Sequence, residues 1–527
     1  MSTSFYDVSF PIRWYRQFIL QPLGLDRETA PVLWLLILFS LIFGLSLWHF
    51  NGDVPVSTTL LYVSCFLVLA VVRPDIALYT FLFLVVLFDQ FEVAGFEPVT
   101  FQVMFFNNIK EIVYLPELEP AVFNPVEFHI VIIALSWVIH YFINSQIDFR
   151  PIPVWPAFIL FMGWFGLSFL YGMMQGGDFL VALWEVRAVF YLAMMYLLVP
   201  QIIRTKKQIN ILFWVFIAAV TIKAIQGGMR FISLGFSTGG YETLTSNEDP
   251  VLMIPIIIFL MALLVFKTNS AQRTMLFIFL LPILLGFYAG QRRASYASLL
   301  ITIAAFLILL PPKVQWSFVK KTFPVALVLG VYGVMYWNSD EPIAAPVQLI
   351  KSGIVTPDPE ENLRHYYSNL YREIENYNLS VTAQREPVLG IGFGNAYDMP
   401  VELANISFPL RDYIPHNQLF WVYIKTGAVG FMLFFFFFNA FAFRGVAVYT
   451  RLKDPYLKAV ALVVVIAVLN QLVVSYFDVM LTFYRNMIFL GCLMGLLPAL
   501  EAAADEEEEQ SQSRDQEYLE AEGEDRT

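Results

Sequence analysis

The residues best suited to chemistry in this chain are one histidine and a set of cations in places where an apolar protein has least use for them. His416 and Asn417 close the longest polar segment and open an apolar run, in which Gly427 and Gly430 follow after nine intervening residues. An imidazole at the mouth of a helix can take a proton from a hydroxyl or, when protonated, stabilise a departing phosphate. It could equally do no more than satisfy backbone donors at a helix start. The Gly-x-x-Gly step lets another helix approach closely.

Arg187, Lys223, Arg230, Arg292, Arg293 and Arg485 stand inside or at the ends of apolar segments, and Arg372 stands in the long polar segment. A charge deep in a bilayer costs at least about 2.5 kcal/mol on insertion scales, so it faces a bundle interior or an aqueous cavity. Several cations at one membrane face suggest an anionic ligand. A lipid diphosphate fits: its tail lies in hydrocarbon, and guanidinium forks bind its phosphates bidentately at the interface. Alternatively, each cation pairs with a carboxylate: Glu185 beside Arg187, Glu248 and Asp249 at the start of the eighth apolar segment, or Asp478 near Arg485.

The elements that must hold these groups follow from composition. Hydrophobic residues make up 58% of the 527 positions and charged residues 14%, well below the roughly 25% charged of soluble domains. Apolar runs long enough to cross about 30 Å of hydrocarbon as helices recur along the chain. They cover 31–50, 56–72, 75–91, 126–144, 154–172, 180–202, 208–229, 250–267, 274–290, 294–312, 322–338, 416–443, 456–477 and 483–499. The expected fold is therefore all-α, a polytopic transmembrane helical bundle of about 12 to 14 crossings with one large, partly helical periplasmic loop. Five regions result: N-terminal membrane helices in 1–150, central ones in 151–338, the loop in 339–415, C-terminal helices in 416–500 and a tail in 501–527. The first thirty residues lack the apolar core of a cleavable signal, so the first crossing is expected to be retained.

Orientation follows from the basic residues of the short connections. Arg13, Arg16, Arg27, Arg73, Arg150, Arg204, Lys206, Lys207, Lys267, Arg273, Lys313, Lys320, Lys321, Arg444, Arg451, Lys453 and Lys458 fall on one side, expected to be the cytoplasm. Both termini then lie inside and the loop outside. The tail carries a net charge of −10 out of the chain's −11, and a segment so charged and so poor in apolar residues is expected to be disordered.

Within the loop, Pro342, Pro346, Pro357 and Pro359 keep the first part irregular. Residues 362–380 place Leu363, Tyr366, Tyr367, Leu370, Tyr371 and Ile374 at helical spacing. That aromatic face either packs on the bundle or stacks on sugar rings, and packing is the commoner outcome. Pro387, Gly390, Gly392 and Gly394 then predict a tight turn with exposed backbone N–H groups. Cys65 and Cys492 read as apolar packing residues, and His49, His129 and His140 lack metal-ligand spacing. Neither a phosphate-binding loop nor a dinucleotide fingerprint is present, so no cofactor and no nucleic acid are expected.

The chain resembles the O-antigen ligase and polymerase family of bacterial envelope glycan transferases. His416-Asn417, nine residues and Gly427-x-x-Gly430 match the family's histidine motif, and Pro387 to Asn395 resembles the turn ahead of it. The run 290–300 resembles the family's start of a crossing, with Ala294 in place of its usual glycine, and Arg372 matches the arginine that precedes the turn. The resemblance covers about 180–500. It implies transfer of a glycan from undecaprenyl diphosphate, in the inner membrane, without metal or nucleotide. By that resemblance Arg292 or Arg293 and Arg372 hold the diphosphate, and His416 activates the acceptor hydroxyl or assists departure. Arg187, Lys223, Asn417 and Arg485 join them as expected substrate-binding groups from position and charge. A ligase would use lipid A-core as acceptor and a polymerase a second lipid-linked glycan. A transporter of lipid-linked glycans would also need a cationic cavity, though with internal repeats and midplane charges that are not evident here.

Overall fold

In lipid a backbone must satisfy its own polar groups, so apolar runs of spanning length become helices. The computed structural model describes residues 30–524 apart from 51, 53, 96–105, 107–122, 144–147, 239, 340, 356–362 and 407. The described residues form helices and connections with no strand, so the protein is an all-α, multi-pass bundle. Arg13, Arg16, Arg27, Pro357, Pro359 and Asn362 lie outside them.

The chain forms two units, of which the first comprises residues 1–150 and 201–203. It contains α1 (Ala30–His49), α2 (Val54–Val72), α3 (Pro74–Leu87) and α4 (Pro125–Ile143). His129 is buried here among Phe66, Phe81 and Tyr62; its Nδ1 faces the Pro125 carbonyl at 2.5 Å and its Nε2 the Tyr62 hydroxyl at 2.6 Å. Both ring nitrogens are used inside the core, a structural role.

The second unit comprises 151–200 and 204–527. Its helices are α5 (Trp155–Met174), α6 (Phe179–Ile202), α7 (Lys206–Ser233), α8 (Asp249–Phe266), α9 (Ser270–Ile278), α10 (Leu280–Ala289), α11 (Arg293–Leu309) and α12 (Pro312–Met335). They continue with α13 (Ala345–Ile354), α14 (Leu363–Arg385), α15 (Gln418–Arg451), α16 (Pro455–Phe477), α17 (Tyr484–Met494) and α18 (Leu497–Glu524).

Among the described residues nine helices are long and apolar enough to cross a membrane. The pair α9 and α10, bent by 52°, makes a tenth if taken as one span. Pro282 causes that break, because its ring cannot continue the i→i−4 ladder. Four apolar helices are shorter, α11 among them; with these, twelve of the expected crossings each fall on one helix, while 274–290 falls on the bent pair and 483–499 on α17 and the start of α18, which count together as one of the nine spans.

The loop helix α14 runs five residues beyond its expected end, through Arg385. Nothing between Ser380 and Arg385 breaks a helix, and Pro387 disfavours helical backbone just before it. The apolar face of α14 packs rather than standing open: Leu379 joins Ile391, Tyr397, Leu403 and Ile424 in a buried cluster flanked by Tyr371 and Ile374.

The acidic tail departs from expectation, because α18 extends helically to Glu524. Its first turns carry buried Ala499, Leu500 and Ala504. Its carboxylates then meet the α15–α16 corner: Glu501 pairs with Arg444, Asp505 and Glu508 with Arg451, and Glu507 accepts from the Lys453 and Asp454 backbone N–H groups. A run rich in Ala and Glu has high intrinsic helix propensity, and the opposing basic corner relieves the self-repulsion that would melt it.

Candidate active site

Four elements of the second unit end at the face that carries the loop: α11 begins there, α16 ends there, α15 begins there, and α14 lies across it. Their meeting point is a cavity of about 530 Å³ lined by Arg292, Tyr371, Arg372, His416, Asp478 and Glu242, among others. Arg292, Arg372 and His416, three candidates from distant segments, therefore share one pocket.

The imidazole is held by a residue the sequence did not single out. Glu375, on α14, takes the His416 backbone N–H at 2.9 Å with one oxygen and faces Nδ1 at 3.1 Å with the other. Glu375 is 2% exposed at its side chain and His416 27%, so the carboxylate is dry and the ring open on one side. A carboxylate without a proton can only accept, which assigns the hydrogen to Nδ1 and leaves Nε2 as the basic atom of the neutral ring. The Tyr371 ring meets the imidazole edge-on, with centroids 5.4 Å apart. Its hydroxyl is buried and has no hydrogen-bond partner among the described residues. Burial, followed by the negative charge of Glu375, pushes this hydroxyl up to about 12, so it stays a neutral O–H donor.

On the opposite wall Arg292 precedes the first turn of α11 in extended backbone. It contacts the Asn247 side-chain oxygen, Asp478 at 3.4 Å and Glu242 at 3.7 Å, while its buried Nε has no partner among the described residues. Asp478 stands at the end of α16, steadied by the Val479 N–H at 2.9 Å. Burial alone would raise its carboxyl. The charges of Arg292, Arg372 and His416 outweigh that effect and hold it below the ordinary carboxylate value. The turn after Asp478 is fastened by buried Gln418, whose oxygen accepts from the Met480 and Leu481 N–H groups and whose amide donates to Thr482. Arg372, one turn before Glu375 on α14, makes no hydrogen bond or ion pair of its own among the described residues, although it lines the cavity. The Arg372 guanidinium thus stands beside an Nε and a hydroxyl that, among the described residues, have no acceptor to donate to.

The other candidates stand elsewhere. Lys223 lies 3.4 Å from Asp249, and Arg485 pairs with Glu248 at 3.1 Å and Asp249 at 2.7 Å, all buried. The carboxylates opening α8 thus hold both cations, and neither lines the cavity. Arg187 is buried with its guanidinium 5.5 Å from the Trp184 ring centre, also off the cavity wall. Arg293 points to the loop, donating to Ser352, Ser368 and Asn369. Asn417 caps α15 through the Phe420 N–H at 3.1 Å and donates to Asn376 at 3.0 Å, which occupies both ends of its amide.

The glycine turn and the Gly-x-x-Gly step belong together. At Gly427, α15 breaks into left-handed backbone (φ 67°, ψ −175°), and the interruption frees carbonyls above it. Ile391 N–H donates to Ile424 O at 2.8 Å, Gly392 N–H to Lys425 O at 3.1 Å, and Ala428 N–H to Pro387 O at 2.9 Å. A Cβ at Gly427 would collide with the Val388 carbonyl. Gly427 therefore admits the loop's backbone rather than a helix, whereas a Cβ at Gly430 would meet the Thr426 side chain of its own helix and then the Trp164 side chain of α5.

The turn's N–H groups, expected to be exposed, are used. Gly394 N–H donates to Glu185 at 2.6 Å, and Glu185 also pairs with Lys425 at 2.7 Å and accepts from Trp421 Nε1 at 3.2 Å. This buried knot pins the loop into the bundle, and no sequence pattern had linked Glu185 with Lys425. Compared with known proteins, the chain matches no family model and no curated protein.

Proposed function

We propose that the cavity holds the diphosphate of a polyprenyl-linked glycan and that the protein transfers the glycan to an acceptor hydroxyl. The reaction is that of an O-antigen ligase with lipid A-core as acceptor, at the periplasmic face of a bacterial inner membrane, with both termini cytoplasmic. One observation supports it above all: an open guanidinium, a second guanidinium and a carboxylate-oriented histidine from three distant segments line one pocket at the bundle's loop face. Diphosphate, sugar and hydrocarbon tail would each find a suitable neighbour there.

The chemistry follows from the atoms present. The acceptor oxygen bonds to the anomeric carbon while its proton passes to His416 Nε2. The bond from that carbon to the diphosphate oxygen breaks, and its electron pair leaves with polyprenyl diphosphate. Arg292, Arg372 and the Tyr371 hydroxyl stabilise the charge growing on the leaving group. Glu375 stabilises the imidazolium as it forms. A polymerase would run the same steps with a second lipid-linked glycan as acceptor.

Purified protein with a lipid-linked glycan and a lipid A-core acceptor tests the proposal. Release of polyprenyl diphosphate with glycosylated core is the expected result. Transfer only onto a second lipid-linked glycan would make it a polymerase, and passage across a vesicle membrane with no bond cleaved would make it a transporter. His416→Ala should lower turnover by roughly 10²- to 10⁴-fold, the usual worth of a general base, with membrane abundance kept. Wild-type turnover in that variant would remove His416 from the mechanism.

A further inference from the structure

The consecutive arginines at the start of α11 divide their work. Arg292, in extended backbone, turns into the cavity, whereas Arg293, the first helical residue, turns to the loop. Its Nη1 donates to the Ser352 carbonyl at 2.9 Å and to Asn369 Oδ1 at 2.8 Å, and its Nη2 donates to Ser368 Oγ at 3.0 Å. Ser352 lies near the end of α13, and Ser368 and Asn369 lie in the first half of α14. One side chain thus ties a membrane helix to two loop helices, and it does so through neutral oxygens.

Position along α14 gives these bonds their meaning. Ser368 and Arg372 are four residues apart on one helical face, and Glu375 follows less than a turn further on. The second half of α14 has its own anchors: Asn378 bonds both the N–H and the carbonyl of Val401, at 3.2 and 2.7 Å, and Thr382 accepts from the Asp398 N–H at 2.9 Å. Arg293 holds the first half. A slip of one helical turn there would carry Arg372 about 5.4 Å along the axis, away from the cavity it now lines, and would pull Glu375 off the imidazole.

We infer that Arg293 is a positioning residue for the diphosphate site: it fixes the distance between Arg292 and Arg372 and the grip of Glu375 on His416, without touching ligand. The inference rests on the transferase reading above, and its test separates the two. Arg293→Ala, Arg293→Lys and the double variant Ser368→Ala/Asn369→Ala are compared with wild type for binding of a polyprenyl diphosphate and for turnover.

A positioning role predicts that the Ser368/Asn369 variant, which keeps the arginine, loses affinity and kcat together by about tenfold, as coupled neighbours do. Adding Arg293→Ala to it should cost little more, and Arg293→Lys should recover part of the loss. Should the Ser368/Asn369 variant behave as wild type while Arg293→Ala loses affinity alone, the arginine binds ligand directly and the inference falls with the transferase reading intact. If the wild-type protein neither binds polyprenyl diphosphate nor turns over, the reading itself fails. Arg293→Ala could unfold the loop, in which case the Ser368/Asn369 and lysine variants carry the decision.

Discussion

Glu375→Gln probes the centre of the site while leaving its shape alone. The carboxylate makes two charge-assisted contacts, to the His416 backbone N–H at 2.9 Å and to Nδ1 at 3.1 Å. A glutamine can offer only one acceptor oxygen to that pair. Its amide nitrogen then faces either the backbone N–H, as a clash of donors, or Nδ1, which accepts from it only if the ring carries its own hydrogen on Nε2 and so loses the basic atom there. Hydrogen bonds to charged groups contribute about 1.5–3 kcal/mol, which at 1.36 kcal/mol per decade is roughly 10- to 150-fold. The loss should fall on kcat, because the carboxylate matters most when the imidazole becomes a cation, while the KM for the lipid-linked glycan stays near wild type since Arg292 and Arg372 are untouched. Steady-state turnover at varied glycan-lipid concentration measures the split, with membrane abundance as the folding control. A Glu375→Gln protein with wild-type kcat, or one whose KM alone rises, would refute the orienting role and with it the assignment of Nε2 as the base.

Two further predictions concern stability. Lys425→Met strands the Glu185 carboxylate, which is wholly buried with Lys425 at 2.7 Å, and breaking such a pair costs about 3–5 kcal/mol. Glu185→Gln/Lys425→Met should regain part of that, because no charge is left stranded, although the single amide oxygen can serve only one of the Gly394 and Trp421 donors; thermal unfolding in detergent decides, and a double variant no better than the single would sink the argument. Asp478→Asn tests the depressed carboxyl. A group held below its unfolded value of about 3.9 contributes stability above that value and loses it as pH falls through the depressed one, so wild type should outlast Asp478→Asn at neutral pH and converge with it in acid. A constant gap down to the lowest pH would show that the charge is irrelevant.

What the chain discloses without a structure depends on how far each residue's meaning reaches. Spanning length is local: hydrocarbon thickness sets it, and each expected crossing falls on helical residues, two of them divided between a pair of helices. His416 and Arg292 are legible because a charge or imidazole against an apolar background stands out, and Arg372, in the polar segment, because it matches the arginine ahead of the turn in the family the chain resembles. The roles of Glu375 and Tyr371 are not, since α14 carries two glutamates and four tyrosines, and only the approach of His416, forty-one residues after Glu375, distinguishes these two.

Pairing was the least readable property. Asp478 lies seven residues before Arg485 yet serves Arg292, because it ends α16 on the cavity side while Arg485, inside α17, faces the start of α8. Glu185 stands two residues from Arg187 yet serves Lys425, since residues two apart on a helix point to different faces. The tail's charge misleads for a related reason: taken alone it predicts disorder, whereas Arg444 and Arg451 lie opposite it.

The loop's role in the site follows from how it is fastened at both ends of its working stretch. Arg293 of α11 holds the first half of α14, and the break at Gly427 in α15, with the Glu185–Lys425 knot behind it, receives the turn that follows α14. Arg372, Tyr371 and Glu375 lie between those anchors. A segment tied only by its own contacts would place a guanidinium and a carboxylate loosely, and electrostatic stabilisation of a leaving group falls off when its dipoles must reorganise during the reaction. Interrupting a membrane helix and burying an ion pair are both unfavourable in themselves. Here both hold a polar loop against membrane helices. The histidine motif and the glycine turn are therefore two halves of one device: the glycines make the socket, and the socket sets where the histidine's partner stands.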